Sequence, residues 1–242
     1  MIKLKLAPKP IQLTEDLQKT LTEEFKKTGK PVWNVDWLKK DILAMSFGKC
    51  CYSEIPLGQE SNYMEVEHFF PKDNYPDNVM QWGNLLPSCK KCNATKGKHD
   101  TKAEPIVNPF EDDPKDYFYL QGCRYYAKRE NQKAKTSIEK LALNDRQHFV
   151  TPRFEITERL KKDLEDRKKD LITYPDSAEP INRIKRLLKQ GNRKKEYAAL
   201  SATIILLDNN YQEIEKKLKE KKLWDEELTA LKTELEFCAL LH

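Results

Sequence analysis

The sequence predicts an α+β protein that is mostly helical, with a turn-rich middle region between N-terminal helices and a C-terminal helical region. Apolar residues recur at helical spacing near both ends of the chain, which is typical of amphipathic helices. Between residues 46 and 126 the segments are short and rich in Pro, Gly, Asn and aromatic residues. We therefore expect an N-terminal helical segment at residues 1–48, a small core at 49–130 and a helical region at 131–242.

Two helices are predicted before the middle region. Thr14 is a suitable N-cap and Gly29 a suitable C-terminal stop for a helix over residues 14–28. A second helix is predicted over residues 34–45. Both carry an apolar stripe that should face the core: Leu17, Leu21 and Phe25 in the first helix, and Leu38, Ile42 and Met45 in the second.

The middle region is predicted to contain short strands and one short helix. A strand over residues 64–70 should end at Pro71, which has no backbone N–H to donate. Residues 84–87 are interpreted as an apolar link to a short helix at 89–98, and residues 108–114 as a turn-rich loop. Late strands are predicted at residues 117–120 and 124–128.

From about residue 133 onward the chain is predicted to be helical. The helices cover Ile156 to Leu171, residues 181–188 and residues 197–207, the last apolar enough to be a central buried helix. The final helix carries an apolar seam at near 3.5-residue spacing, made of Leu228, Leu231, Leu235 and Cys238. Packing within the domain is our main interpretation of this seam, and dimerisation or partner docking is the alternative.

Composition argues against a membrane protein and against a strongly basic one. The chain has 242 residues, of which 38% are hydrophobic and 34% charged, enough for a real core beneath solvated helices. No apolar run approaches the roughly 18–20 residues of a membrane span, and no secretory segment follows the first residues, so we expect a cytoplasmic protein. The net charge of +5 is spread along the chain, so any attraction for nucleic acid must be local.

Four of the six cysteines fall into two clusters, which in a cytoplasmic chain favours a metal over disulfides. Cys89 and Cys92 have the spacing of one half of a zinc knuckle. Cys50 and position 53 repeat that spacing, but position 53 is Ser53. The fourth Zn²⁺ ligand could therefore be Cys51 or another group, and buried reduced cysteines without zinc are the alternative.

Glu67, His68, Asn84 and Asn93 have side chains suited to phosphodiester hydrolysis. A histidine with a pKa of roughly 6.5 can accept a proton from water at neutral pH. Glu67 and the side-chain oxygen of Asn93 offer the ligands that a single Mg²⁺ or Mn²⁺ ion prefers. Asn84 can bond backbone across the loop and orient the histidine, or it can be an ordinary turn residue. Because adjacent strand residues point to opposite faces, Glu67 and His68 can share a site only where the strand ends or bends.

A local cluster of lysines could bind nucleic acid. Five lysines lie within residues 88–102, where the only acid is Asp100. They are Lys90, Lys91, Lys96, Lys98 and Lys102. Lysines in such a patch would hold phosphates without reading base sequence, and binding would weaken steeply with salt. A solvated basic helix is the alternative.

The segments 49–52 (KCCY), 67–72 (EHFFPK), 82–86 (WGNLL) and 89–97 (CKKCNATKG) together resemble the HNH nuclease family. The core of that family is a two-stranded hairpin plus a helix that holds one metal ion, a ββα-metal core. The resemblance implies His68 as general base, Asn84 as the orienting amide, and Glu67 and Asn93 as metal ligands. Asn93 stands where many members have the last histidine, and Ser53 departs from the usual fourth cysteine.

Segments outside this core, residues 32–34 (VWN) and 105–110 (PIVNPF) and the helical tail, are similar to the PtuB-type HNH proteins of bacterial anti-phage systems, Septu and some retrons. The resemblance implies a nuclease effector that works with a PtuA-type ATPase, docked on the C-terminal helices. We expect nucleic acid as the substrate, with DNA favoured over RNA, and a homodimer within a larger complex is a further option. The alternative is a non-catalytic module, either a zinc knuckle that binds nucleic acid or an adaptor for the ATPase.

Overall fold

The computed structural model describes residues 1–58, 62–174 and 178–242, which pack as two compact units. The first unit comprises Met1, residues 3–117 and residues 127–143; the second comprises Ile2, residues 118–126 and residues 144–242. The chain is mostly helical, most strongly so in the second unit, and the described residues form two small two-stranded sheets, as expected for the α+β class. Within these residues no helix combines the length and the apolar character needed to cross a membrane. The division of the chain at residues 48 and 130 stays a prediction.

The first unit begins with two helices, α1 (Glu15–Thr28) and α2 (Asp36–Ala44). Thr14 Oγ1 accepts the backbone N–H of Leu17 at 3.2 Å, and Gly29 ends the helix with a φ of 67°. Both predicted caps of α1 are confirmed. Helix α2 starts two residues later than predicted because Val35, its N-cap residue, is extended.

Strands β1 (Met64–His68) and β2 (Leu85–Cys89) form an antiparallel pair in which Glu67 faces Leu86 and His68 faces Leu85. The prediction of an apolar link at residues 84–87 was wrong, because residues 85–87 open β2, and Asn84 ends the 3₁₀ turn before it. All five residues of β2 are buried, so the strand lacks the alternation of apolar and polar residues that would mark it. Strand β1 ends at His68, two residues earlier than predicted.

Helix α3 (Lys90–Lys96) follows β2 without a loop and contacts both strands. Its N-cap is Cys89, whose Sγ accepts the backbone N–H of Cys92. The short helix α4 (Pro114–Tyr117) and helix α5 (Gln132–Lys140) complete the unit. Its apolar core draws on α1, α2, β1, β2 and the loop between the strands, and includes Leu13, Phe25, Leu38, Ile42, Val66, Val79, Met80 and Leu85.

The second unit is a helical bundle with one strand pair. Its elements are β3 (Phe118–Gln121), β4 (Arg124–Ala127), α6 (Thr151–Thr173), α7 (Glu179–Leu188), α8 (Ala198–Leu207), α9 (Asn209–Glu220) and α10 (Glu226–Cys238). Helix α8 is central and contacts α6, α9 and α10. The predicted central helix is therefore confirmed, although it begins at Ala198, because Tyr197 takes a left-handed conformation.

The apolar seam of α10 packs inside the second unit. Leu228 and Leu235 are fully buried, and α10 contacts α7 and α8. A Cβ atom added at Gly191 would overlap Leu235 Cδ2 and lie 3.1 Å from the backbone of Ala202, so only glycine fits between these helices. Intradomain packing of the seam is confirmed.

Candidate functional site

Three of the predicted site residues, Glu67, His68 and Asn93, line a cleft at the end of β1, in the first unit. The cleft has a volume of about 400 Å³. Its lining includes Trp33, Glu65, Glu67, His68, Lys72 and Asn93, and we refer to it as the β1 cleft. Glu67 and His68 both line it although they are adjacent in sequence, because β1 ends at His68. Glu67 and His68 could share a site only if the strand ended or bent there, and β1 does end at His68.

His68 is held as a neutral imidazole with one nitrogen fixed. Its Nε2 donates to the backbone carbonyl of Val79 at 3.0 Å, and a carbonyl can only accept, so Nδ1 keeps the lone pair. Trp33 packs edge-on against the ring, with the centroids 4.4 Å apart. Burial lowers the pKa of His68 to about 4, and the positive charges of Lys72 and Lys96 act in the same direction. At neutral pH the ring therefore offers one free acceptor nitrogen.

Asn84 is buried and bonds the loop that follows β1. Its Oδ1 accepts the N–H of Phe70 at 2.7 Å, and its Nδ2 donates to the carbonyls of Phe70 and Asn78 at 3.3 and 3.0 Å. Asn78 is next to Val79, whose carbonyl holds His68. The amide thus ties together two parts of the loop that follows His68, and the orienting role of Asn84 stays a prediction.

Glu67 and Lys96 form a buried ion pair beneath the cleft. Glu67 Oε1 lies 2.6 Å from Lys96 Nζ, and the side chains are 3% and 1% exposed. Lys96 Nζ also donates to the carbonyl of His68 at 2.9 Å. Burial raises the pKa of Glu67 to about 7, although the Lys96 ammonium opposes that shift. Lys96 is therefore an internal counter-ion, and its prediction as a nucleic-acid contact was wrong, because a buried ammonium cannot reach a phosphate backbone.

Replacing Lys96 with methionine should destabilise the protein by about 3–5 kcal/mol, because it removes the buried counter-ion of Glu67 and the hydrogen bond to the His68 carbonyl, and forces Glu67 to take up a proton. The free energy of unfolding, measured by urea titration at neutral pH, checks this value. Lys98→Met is the matched control, since Lys98 pairs with Asp73 at the surface and its side chain is 83% exposed. The control should leave the unfolding midpoint unchanged. Equal stability of the two variants would contradict the internal role of Lys96.

Glu65 is a site residue that the sequence interpretation missed. Its Oε2 accepts a hydrogen bond from Asn93 Nδ2 at 2.6 Å, and both residues line the β1 cleft. Since Nδ2 is held by Glu65, the amide of Asn93 is fixed with Oδ1 as its remaining ligand atom. The spacing of Glu65 and Glu67 was the available signal, because residues i and i+2 of a strand share a face.

Three cysteines form a buried cluster at the base of α3. The Sγ atoms of Cys50, Cys89 and Cys92 all lie within 4.8 Å of one another, an arrangement that could hold a metal ion such as zinc. Burial disfavours the thiolate of Cys50, but hydrogen bonds with Cys89, Cys92 and Ser53 outweigh it and hold the pKa of Cys50 well below its ordinary range. Burial raises the pKa of the Cys92 thiol. The cluster therefore favours ionisation at one of its three sulfurs.

Ser53, rather than Cys51, completes the surroundings of this cluster. Ser53 Oγ lies 3.6 Å from Cys89 Sγ, and its backbone N–H donates to Cys50 Sγ. Cys51 is buried but does not belong to the group of sulfurs that could share an ion, and its N–H donates to the carbonyl of Pro87 in β2. Cys51, a candidate for the fourth ligand, thus lies outside the cluster. Its backbone hydrogen bond ties its turn to β2.

The remaining lysines of the predicted patch have separate environments. Lys90 is exposed at the start of α3, and Lys91 is half-buried. Lys98 lines the β1 cleft but is ion-paired with Asp73 at 2.6 Å. Lys102 Nζ lies 4.2 Å from the ring centroid of Tyr75, in a cation–π contact. Of these four lysines, Lys98 alone is among the residues that line the β1 cleft.

Comparison with known proteins shows similarity to two curated bacterial proteins. The chain is 36% identical over 235 residues to the Septu protein PtuB of Bacillus thuringiensis, and the alignment covers 94% of this chain and 90% of that protein. It is 28% identical over 203 residues to the Septu protein PtuB of Bacillus mycoides (strain KBAB4), covering 69% and 65% of the two chains. No protein-family model matches the sequence.

Proposed function

The chain belongs to the Septu PtuB family, and on this premise we propose that it is a metal-dependent HNH endonuclease that hydrolyses phosphodiester bonds in nucleic acid. We also propose that it serves bacterial anti-phage defence as the nuclease partner of a PtuA-type ATPase. One observation carries the enzymatic proposal: a neutral, backbone-anchored His68 lines the same cleft as Glu67 and Asn93. In this proposal β1, β2 and α3 form the ββα-metal core.

His68 acts as the general base. With Nε2 donating to Val79, the lone pair on Nδ1 can take a proton from a water molecule as that water attacks phosphorus. The low pKa keeps the ring unprotonated at neutral pH, so the base is in its active form before substrate binds. Trp33 and the Val79 carbonyl restrict rotation of the ring, which maintains its alignment.

Glu67 and Asn93 would hold the catalytic Mg²⁺ or Mn²⁺ ion, and the donor set fits such an ion. Both offer oxygen, the ligand atom that hard cations prefer. Glu67 Oε1 is already paired with Lys96 Nζ at 2.6 Å, so the ion would share this carboxylate with the Lys96 ammonium. When bound, the ion supplies charge neutralisation on the phosphate oxygens and on the leaving oxygen. Glu65 contributes by fixing the Asn93 amide.

The cysteine cluster would hold a structural Zn²⁺ ion through Cys50, Cys89 and Cys92, and three buried thiols within 4.8 Å of one another fit that role. Ser53 Oγ, 3.6 Å from Cys89 Sγ, is a candidate for the fourth ligand, with a water molecule as the alternative. Because Cys89 also caps α3, this ion would fix the helix that carries Asn93 and Lys96.

A cleavage assay with a substrate panel tests the proposal. The purified chain, alone and with the PtuA-type ATPase, is incubated with labelled duplex DNA, single-stranded DNA and RNA in Mg²⁺, Mn²⁺ or EDTA. We expect cleavage of at least one substrate class in the presence of divalent metal and none in EDTA. Binding without cleavage under every condition would favour the non-catalytic binding module. A stable complex with the ATPase and no affinity for any nucleic acid would favour the adaptor.

A further inference from the structure

Two lysines outside the predicted patch line the β1 cleft. Lys39 lies on α2, and Lys72 lies four residues after His68, in the loop that follows β1. Both are half-buried, and neither forms an ion pair with a carboxylate in the part of the chain that the structure describes. This distinguishes them from Lys98, the third lysine of the cleft, which Asp73 already neutralises.

The side chain of Lys72 contacts a neighbouring aromatic ring, and Lys39 is placed at the cleft by its helix. Lys72 Nζ lies over the indole ring of Trp33, 5.7 Å from its centroid, and Trp33 in turn contacts His68. The charge of Lys72 acts on the pKa of both Glu67 and His68, so it lies within electrostatic reach of the proposed catalytic groups. Lys39 is carried into the cleft lining by α2, whose backbone hydrogen bond from Lys39 N–H to the carbonyl of Val35 measures 3.0 Å.

We propose that Lys39 and Lys72 are the phosphate-binding residues of the cleft, each holding a backbone phosphate of nucleic acid beside the phosphate that is cleaved. This inference rests on the proposed nuclease function and assigns its substrate contacts to α2 and the loop after β1, not to α3. Lysines at the edge of a cleft lined by the carboxylates Glu65 and Glu67 would also offset the repulsion between those carboxylates and the polyanion. Contacts of this kind are independent of base sequence.

A binding experiment separates this assignment from catalysis. The full-length chain and its Lys39→Ala and Lys72→Ala variants are titrated against fluorescein-labelled duplex DNA, single-stranded DNA and single-stranded RNA of 30 nucleotides in EDTA, with fluorescence anisotropy as the readout. Each substitution should weaken binding about 3–10-fold near 0.1 M salt. Each should also reduce the slope of log K against log[salt] by about 0.7–0.9, the value for one lost phosphate contact. The double variant should lose about twice that slope.

Lys90→Ala is the matched control, because Lys90 is an exposed lysine of α3 and does not line the cleft. It should leave both affinity and salt slope unchanged. Lys39→Arg and Lys72→Arg should retain the wild-type slope, which shows that charge and not packing is responsible. The inference is overturned if Lys90→Ala weakens binding as much as the cleft variants, or if no probe shows salt-dependent binding to the wild-type chain. A chain that binds through Lys39 and Lys72 but cleaves nothing would contradict the nuclease proposal alone.

Discussion

Replacing His68 with alanine is expected to slow metal-dependent cleavage by about 10²–10⁴-fold, the usual contribution of a positioned general base. The Val79 carbonyl and the Trp33 ring fix the imidazole with Nδ1 as its free acceptor, and alanine leaves no group that could take the proton. Affinity for nucleic acid should change little, because the proposed phosphate contacts come from other residues. Single-turnover cleavage of the preferred substrate at saturating enzyme measures the chemical step directly.

His148→Ala provides the matched control. His148 is exposed in the second unit, where its Nδ1 contacts Asp145, and its removal should leave the rate unchanged. A thermal melt of both variants shows whether each is folded. A folded His68→Ala protein that cleaves at the wild-type rate would exclude His68 as the base.

The second large effect is expected from Cys92→Ala, which should abolish zinc retention and lower the melting temperature by about 10 °C or more. Loss of a structural metal is among the few single changes that lower the free energy of unfolding by several kcal/mol. Each kcal/mol lowers the melting temperature by about 2–4 °C in a chain of this size. Cys92 lies in the first turn of α3, one residue before Asn93, so cleavage should fall with stability. Zinc content by mass spectrometry and a thermal melt measure the two quantities.

Cys51→Ala is the control for this substitution, because Cys51 is equally buried and loses the same sulfur but lies outside the cluster. It should keep its zinc and lose only the packing of one sulfur atom, about 1 kcal/mol. Equal melting temperatures for the two variants, with no zinc in the wild-type protein, would contradict a structural zinc site and leave three buried reduced thiols.

Local signals predicted much of the fold. Helix α1 was recognisable at both ends because its limits are set by residues with specific roles, a side-chain cap at Thr14 and a left-handed glycine at Gly29. The buried helix α8 was recognisable because it consists of ten consecutive small or apolar residues. This pattern is visible in the sequence without knowledge of tertiary contacts. The candidate site was located through spacing, since Cys89, Cys92 and Asn93 lie on one short element next to the strand that carries His68.

The remainder depended on contacts between residues distant in sequence. Strand β2 is buried throughout and contains Pro87, so neither alternation nor strand propensity marked it. Lysine is almost never fully buried unless paired, and the partner of Lys96 lies 29 residues earlier, at Glu67. Lys39 and Lys72 could not be placed in one cleft without the packing of α2 near β1. Each of these features is fixed by tertiary packing rather than by local sequence.

The most direct test of hydrolysis in the β1 cleft is a Mg²⁺ titration of the cleavage rate, for the wild-type protein and for Asn93→Ala. Asn74→Ala is the control, because Asn74 is an exposed amide of the same unit that contacts Asp100. We expect no cleavage in EDTA, and a half-saturating Mg²⁺ concentration at least about tenfold higher for Asn93→Ala than for the wild-type and control proteins. Cleavage that persists in EDTA, or a half-saturating Mg²⁺ concentration that Asn93→Ala does not change, would contradict a metal-dependent nuclease site in this cleft.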